Sequence, residues 1–199
     1  MNGGTGTLLD YGCGTGAFIK ECQAKGWTTT GFEPDDDAGS LASERTSQKI
    51  LKSTDELISL ANLDVVTLWH VLEHVADLKN TLAILANSLR SGGHLVIAVP
   101  NPASRDARIY GSNWAAYDVP RHLHHFTPEV LTALIETIGL KLQKKLPMRF
   151  DAYYIAMLST KHRDGKVNYA ESLLNGFRSN ADAAKTGNYS SLTYVFRKL

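Results

Sequence analysis

Strand-like and helix-like runs alternate along the first hundred residues, and this alternation limits the possible folds more than any other feature. The runs DVVTLWHV and HLVIAVP are apolar at consecutive positions, which is typical of strands buried on both faces. Strands are predicted at Thr7 to Tyr11, Thr28 to Glu33, Lys49 to Leu51, Leu63 to Val71 and His94 to Val99. Helices are predicted near 17–25, 36–46, 54–61 and 77–90. The pattern predicts an α/β protein with a parallel sheet between layers of helices.

The second half of the chain is predicted in less detail. The SGG stretch at 91–93 is interpreted as a helix end before the fifth strand, and residues 101–125 as an irregular segment. Thr127 and Pro128 open a helix that ends at Gly139. The runs LKLQKKLPM and SLTYVFRKL predict two more strands around a helical segment near 168–184.

Composition predicts one globular domain over residues 1–199. The chain is 43% hydrophobic and 21% charged, with no apolar run of the roughly 18 residues that cross a bilayer and no signal-peptide pattern. A cytoplasmic protein is therefore expected. The two cysteines predict neither a disulfide framework nor a zinc site. Residues 101–199 carry a net charge of +6, which favours either an anionic substrate or a solvated surface.

The stretch LLDYGCGTGAF, residues 8–18, predicts a ligand site between the first strand and the first helix. At this point of an open α/β sheet, ligands lie against backbone amides. Gly12 permits a sharp turn, and Gly14 and Gly16 remove Cβ atoms that would collide with a ligand or with the packing of the helix. The alternative is a tight turn without a ligand.

Two carboxylates indicate which ligand the turn takes. The glycine spacing is G-x-G-x-G instead of the dinucleotide G-x-G-x-x-G, and Asp10 under the turn repels a pyrophosphate but attracts a cationic sulfonium. Glu33 follows the second strand about twenty residues later, where an acid accepts hydrogen bonds from ribose hydroxyls. Its alternative role is that of an acid at a helix N-terminus, which is how we interpret Asp35, Asp36 and Asp37.

Five segments together resemble a class I S-adenosylmethionine-dependent methyltransferase. They are LLDYGCGTGAF, GFEPD, DVVTLWHVLEHVAD, SGGHLVIAVPNP and YDVPRHLHHFTPEVLTALIETIGL. The likeness is to the type-11, type-12 and type-23 groups, which include the ubiquinone-biosynthesis O-methyltransferase. It implies a Rossmann-like, doubly wound sheet of seven strands in the order 3-2-1-4-5-7-6, with strand 7 antiparallel. It also implies S-adenosylmethionine as cofactor and S-adenosylhomocysteine as product.

The resemblance implies a set of cofactor-binding residues, matched position by position. They are Asp10, Gly12, Cys13, Gly14, Gly16, Glu33, Pro34, Thr54, Trp69 and His70. Relatives usually carry one or two helices ahead of the first strand, whereas here that strand begins within a few residues of Met1. We therefore expect the chain to be a fragment of a longer polypeptide that lacks these helices.

Histidines are the candidates for acceptor chemistry. His122 is the first choice for a general base, with His70 and His125 as further candidates. Residues 101–126 are expected to form an active-site loop or lid. The alternative role of His122 is to form hydrogen bonds with the loop backbone and hold the lid in place. A metal site built on His70, Glu73 and His74 is not expected, since closed sites have better-defined spacings.

These observations predict a methyltransferase that acts on oxygen of a small molecule, or of a glycan or lipid-linked biosynthetic intermediate. A quinone-type ring is the second substrate class, and no nucleic-acid partner is expected, because the chain lacks a dense basic stripe. The oligomeric state is left open. Two alternatives remain at this point: an NAD(P)-binding oxidoreductase on a Rossmann sheet, and a catalytically silent module that binds S-adenosylmethionine.

Overall fold

A computed structural model describes residues 5–199 and contains one seven-stranded sheet flanked by helices. The strands are β1 Thr7–Tyr11, β2 Thr28–Phe32, β3 Ile50–Leu51, β4 Leu63–Trp69, β5 Leu89–Pro100, β6 Leu140–Pro147 and β7 Ser191–Lys198. The helices are α1 Ala17–Ala24, α2 Asp36–Thr46, α3 Thr54–Ile58, α4 Leu78–Ser88, α5 Arg105–Tyr110, α6 Pro128–Glu136, α7 Asp151–Asp164 and α8 Tyr169–Thr186.

The strand order is β3-β2-β1-β4-β5-β7-β6, and only β7 runs antiparallel to its neighbours. The sheet order and orientation implied by the resemblance are therefore confirmed. The order reverses between β1 and β4, the place where open α/β sheets bind ligands at the carboxyl ends of their strands.

Successive side chains of the central strands point to opposite faces of the sheet, so each face has its own core. Leu9 and Val66 lie in the main cluster with residues of α3, α4 and α6. Leu8 and Val65 lie on the other face with Phe18 and other residues of α1. This two-sided burial explains why β4 and β5 are apolar at consecutive positions.

Two segments differ from the sequence-based predictions. Residues 101–125 are not wholly irregular, because Ser104 caps α5 through a hydrogen bond from the Ala107 amide. The prediction that SGG ends a helix is wrong: α4 ends at Ser88 and β5 begins at Leu89. Gly92 has φ +76°, and the β4–β5 register shifts between Leu63 and Val65, so this stretch forms a bulge inside the strand.

Helix α7 has no counterpart among the predicted elements. Its buried residues are Ala152, Ile155, Ala156, Ser159 and Thr160, of which only Ile155 is a large apolar residue, so the helix lacks the wide apolar stripe that usually indicates a core-facing helix. It packs against α5 and α8, and it contributes to a separate apolar cluster that contains Trp114, whose ring N–H donates to buried Asp106 at 2.8 Å. Within residues 5–199, no helix is both long and apolar enough to cross a membrane.

Candidate functional site

The glycine turn after β1 uses left-handed backbone that favours glycine. Gly12, Gly14 and Gly16 have φ of +76°, +52° and +76°. A Cβ on Gly12 would lie 2.5 Å from Val71, and one on Gly16 would lie 3.0 Å from the Ala42 backbone, where α1 packs on α2. A Cβ on Gly14 would meet no protein atom within 4 Å. Gly12 and Gly16 are thus required by packing, whereas Gly14 opens onto free space.

Two adjoining clefts lie at this end of the sheet. The glycine-loop cleft, about 460 Å³, is lined by Asp10, Gly12, Cys13, Gly14, Thr15, Ala17, Phe18 and Trp69. The Glu33 cleft, about 410 Å³, is lined by Tyr11, Gly12, Phe32, Glu33, Pro34, Trp69, His70, Val71, His74 and Val75. Gly12 and Trp69 line both, so the two clefts are neighbours at the ends of β1, β2 and β4, and together they are called the groove.

Asp10 is a buried carboxylate beneath this groove. It is 2% exposed, and one of its oxygens accepts a hydrogen bond of 2.7 Å from the Thr67 hydroxyl. Burial raises the pKa of Asp10 to about 6, with the Thr67 hydrogen bond opposing the shift and the charge of Glu33 adding to it. Asp10 is therefore mostly ionised at neutral pH and places a negative charge beside the groove.

Glu33 lies across the groove from Asp10, at the end of β2. Its carboxylate accepts hydrogen bonds from the Gly14 amide at 2.8 Å and from the Asp35 amide at 3.1 Å. Each carboxylate oxygen thus accepts one backbone N–H and can still accept a hydrogen bond from a ligand. Asp35 itself caps α2 through the Ala38 amide, as its interpretation as a helix N-terminal acid requires.

Several features of the groove suit S-adenosylmethionine. The residues that line it include two carboxylates, Asp10 and Glu33, and no lysine or arginine, which favours a cationic ligand over a pyrophosphate. Among residues 5–199, the buried indole N–H of Trp69 has no hydrogen-bond partner. Cys13 is buried, which raises the pKa of its thiol to about 12, so the cysteine contributes surface and no reactive thiolate.

Two predicted cofactor residues lie away from the groove. Gly16 lines neither cleft and instead permits the contact between α1 and α2. Thr54 is exposed at the first position of α3, whose capping box is formed by Ser53 and Glu56. The remaining predicted residues, Asp10, Gly12, Cys13, Gly14, Glu33, Pro34, Trp69 and His70, all line the groove.

A third cleft, the lid cleft of about 450 Å³, adjoins the groove at His70. It is lined by His70, Glu73, Pro100, Ala115, Ala116, Asp118, Arg121, His122, Met148, Asp151, Tyr154, Ile155 and Leu158. One wall is the predicted lid segment and the opposite wall is α7. The α7 wall has no counterpart among the predicted elements. The sequence signals for this helix are an acid in its first turn, bases in its last turn and Gly165 directly after its end. In the structure, the backbone of Gly165 is left-handed.

Backbone and histidine hydrogen bonds fasten the lid segment. The Leu123 and His124 amides both donate to the carbonyl oxygen of Glu73, at 2.8 and 3.1 Å. His74 Nδ1 donates to the Arg121 carbonyl at 2.9 Å, and a ring nitrogen of His124 bonds to the Val75 carbonyl at 3.0 Å. The lid segment is thus attached to the turn that follows β4.

The three candidate catalytic histidines have different environments. His122 lines the lid cleft, and its Nδ1 donates to the Ala116 carbonyl at 2.8 Å, which leaves Nε2 unprotonated in the neutral ring. Burial lowers the pKa of His122 below its usual value. His70 lines both the lid cleft and the Glu33 cleft. His125 is exposed, bonds to the Tyr117 carbonyl at 2.9 Å and does not line the lid cleft.

Donor atoms of Glu73, His74 and His122 lie within 4.8 Å of one another. We assign no metal to this group, because Oε1 of Glu73 faces Nδ1 of His70 at 3.4 Å. The expectation of no metal stays a prediction. Tyr110 and Trp114 are buried in a cluster with residues of α5 and α7, and Tyr117 packs against it.

The chain is similar in sequence to known methyltransferases. The family described as methyltransferase domain matches residues 2–145. The ubiquinone biosynthesis O-methyltransferase of Saccharophagus degradans is 27% identical over 181 residues, covering 81% of this chain and 74% of that protein. The enzyme of the same name from Brucella anthropi is 28% identical over 175 residues, covering 81% and 70%.

Solved structures share the fold. A SAM-dependent methyltransferase from Archaeoglobus fulgidus superposes with a TM-score of 0.65 at 21% identity, over 98% of this chain and 87% of that one. One from Mesorhizobium loti has a TM-score of 0.62 at 16% identity, over 100% and 93%. The oxidoreductase alternative therefore has no support, and the chain belongs to the class I S-adenosylmethionine-dependent methyltransferase family.

Proposed function

We propose that this methyltransferase methylates a hydroxyl oxygen of a small molecule, or of a glycan or lipid-linked biosynthetic intermediate, bound in the lid cleft. The carrying observation is that the lid cleft joins the groove at His70 and presents His122 with its Nε2 unprotonated. The relatives named as ubiquinone biosynthesis O-methyltransferases favour oxygen as the acceptor atom. Ala115, Met148, Ile155 and Leu158 supply an apolar surface for the body of the acceptor.

The groove residues would hold the cofactor. Asp10 would attract its positive charge, Glu33 would accept hydrogen bonds from the ribose hydroxyls, and Gly14 would allow close approach of the backbone. When bound, S-adenosylmethionine supplies an electrophilic methyl group on a sulfonium and is converted to S-adenosylhomocysteine. Trp69 and His70 border the groove where it meets the lid cleft.

His122 would act as the general base. Its Nε2 takes the hydroxyl proton as the acceptor oxygen forms its bond to the methyl carbon and the bond from that carbon to sulfur breaks. A neutral imidazole is required, and the lowered pKa of His122 keeps the ring neutral near pH 7. Holding the acceptor about 3 Å from the methyl carbon supplies much of the rest of the acceleration.

Incubation with labelled S-adenosylmethionine and a fractionated metabolite extract, followed by mass spectrometry, tests this function. We expect a methylated hydroxyl compound, and a loss of roughly 10²–10⁴-fold in its rate of formation with His122→Gln. The matched control is His125→Gln in the same loop, which should retain the wild-type rate. Methylation of nitrogen, carbon or nucleic acid, or an equal loss in both variants, would contradict the proposal.

A further inference from the structure

His70 lies between two carboxylates that come from separate elements. It follows β4 with a left-handed φ of +55°, which turns its ring toward the lid cleft. Its Nδ1 lies 3.4 Å from Oε1 of Glu73, and its Nε2 lies 3.3 Å from Oδ2 of Asp151. Glu73 belongs to the turn after β4, whereas Asp151 is the first residue of α7. Both ring nitrogens of His70 thus face a carboxylate oxygen.

This geometry determines which protonation state fits. A neutral imidazole has one N–H and one lone pair, so one of the two carboxylates would face a lone pair. Only the doubly protonated ring presents an N–H to both. Glu73 is 1% exposed, and among residues 5–199 neither of its carboxylate oxygens makes a hydrogen bond. The contact of 3.4 Å with His70 is therefore a charge contact, and an imidazolium at that position places a positive charge beside the buried carboxylate.

The electrostatics agree with the geometry. Burial by itself lowers the pKa of His70, but the contacts with Asp151 and Glu73 outweigh burial and raise the pKa to about 9. The other charged or titratable groups on the lid cleft are Tyr154 on α7 and Asp118, Arg121 and His122 on the lid segment. Asp118 pairs with Arg121 at 2.8 Å, and its other oxygen lies 3.8 Å from Nε2 of His122.

We propose that Asp151 is a positioning residue, which together with Glu73 holds His70 as an imidazolium where the groove meets the lid cleft. The inference rests on the proposed function and divides the work between two histidines. His122 has an unprotonated ring nitrogen, which accepts the proton. Both ring nitrogens of His70 are protonated, so His70 accepts no proton and holds the two carboxylates in place. This bridge of Glu73, His70 and Asp151 joins the α7 wall to the end of β4. It thereby sets the distance of the acceptor from the methyl group.

The net charge of the bridge also suits its position beside the groove. Two carboxylates and one imidazolium sum to one negative charge beside the groove that takes a sulfonium. Because the pKa of His70 is raised, the bridge is fully formed below the ordinary histidine value and is lost as pH rises through about 9.

Titration of the histidine rings by NMR, with histidine labelled at the Cε1 carbon, tests the inference without any acceptor. His70→Gln identifies the signal of His70. We expect that signal to titrate near pH 9 in the wild-type chain and at least about one unit lower in Asp151→Asn. Asp118→Asn, on the opposite wall, is the matched control and should leave the His70 signal unchanged.

Two results would overturn the inference: titration of His70 near pH 6.5 in the wild-type chain, or an unchanged titration in Asp151→Asn. Circular dichroism and thermal unfolding check that the variant folds. If Asp151→Asn does not fold, Asp151→Glu provides the comparison, because it keeps the charge but moves the carboxylate. That variant should retain a raised pKa for His70, and titration near pH 6.5 would count against the bridge.

The pH profile of methyl transfer separates this inference from the proposed function. In the wild-type chain the rate should fall above about pH 9, and in Asp151→Asn the fall should begin at least one unit lower. If no hydroxyl compound is methylated, the proposed function fails while the ring titration still reports on the bridge. If product forms but the two profiles coincide, the bridge has no part in positioning and only this inference fails.

Discussion

At the scale of single residues, two carboxylates of the same groove differ because their surroundings differ. Asp10 is enclosed below the turn with one hydroxyl hydrogen bond, and burial raises its pKa to about 6. Glu33 is half-buried at the rim and accepts two backbone N–H groups. The sequence predicted both acids, because each lies at or just after the carboxyl end of a buried strand, but it did not predict that burial raises the pKa of Asp10.

Protonation of Asp10 should weaken cofactor binding in acid. Since its pKa in the free protein is about 6, we expect the Kd for S-adenosylmethionine to rise severalfold between pH 7 and pH 5, as the carboxylate loses its charge. Isothermal titration calorimetry at the two pH values measures the change. Asp10→Asn should bind weakly at both values. Equal wild-type affinities at pH 5 and pH 7 would contradict this role of Asp10.

The same carboxylate should reduce the stability of the free protein. A raised carboxyl pKa means that ionisation costs more free energy in the folded than in the unfolded chain. The free energy of unfolding therefore decreases as the pH rises from about 4 to about 6. Asp10→Asn should therefore increase the free energy of unfolding at pH 7 by about 1 to 3 kcal/mol, as measured by urea denaturation without cofactor. A destabilised variant would show that Thr67 requires the carboxylate.

At the scale of elements, the glycine turn contains positions of two kinds. Gly12 and Gly16 contact neighbouring elements where a Cβ would collide, whereas Gly14 faces open space in the groove. The sequence indicated all three as glycines near a ligand. Only the structure separates them, because the neighbours, Val71 and Ala42, are distant along the chain.

Alanine at these positions should separate stability from binding. Gly12→Ala adds a clash with Val71 to left-handed strain and should cost about 2 to 4 kcal/mol of unfolding free energy. Gly14→Ala carries only the strain, about 1 to 2 kcal/mol, but places a methyl group in the groove. Urea denaturation and calorimetry with S-adenosylmethionine measure both quantities. Normal cofactor binding by Gly14→Ala would contradict the placement of the cofactor beside this turn.

Helices α7 and α8 differ in how far the sequence reveals them. The segment near 168–184 was predicted and α8 spans Tyr169–Thr186, but α7 was not predicted. Both helices bury small or polar residues, among them Ser159 on α7 and Gly176 on α8. A Cβ on Gly176 would lie 2.5 Å from the Tyr153 ring, so the two helices pack closely. Such packing leaves no apolar periodicity in the sequence.

At the scale of the whole molecule, the sheet places every cofactor candidate of the groove at one edge. The parallel strands β1, β2 and β4 end there, so residues far apart in sequence meet because strand direction is shared. Strand β6 is the edge strand on the other side of the sheet from β3. It carries exposed Lys141, Lys144 and Lys145, which discourage pairing with a strand of another molecule.

Cofactor binding should protect one end of the molecule. Hydrogen exchange measured by mass spectrometry should slow in residues 10–16, 33–35 and 69–71 when S-adenosylmethionine is added, since ligand binding suppresses local opening. Residues 140–147 of β6, at the sheet margin, serve as the internal reference. Protection confined to α7 and α8 would place the cofactor elsewhere.

The sequence by itself determined the strands, their parallel order as implied by the family resemblance, and the acids and glycines at the ends of β1 and β2. These features arise from local physics: buried strands are apolar at consecutive positions, and a sharp turn requires glycine. Only the tertiary structure decided which histidine meets which carboxylate. Asp151 reaches His70 because α7 packs through small residues against the lid segment, and such a contact between distant segments has no periodic pattern to read.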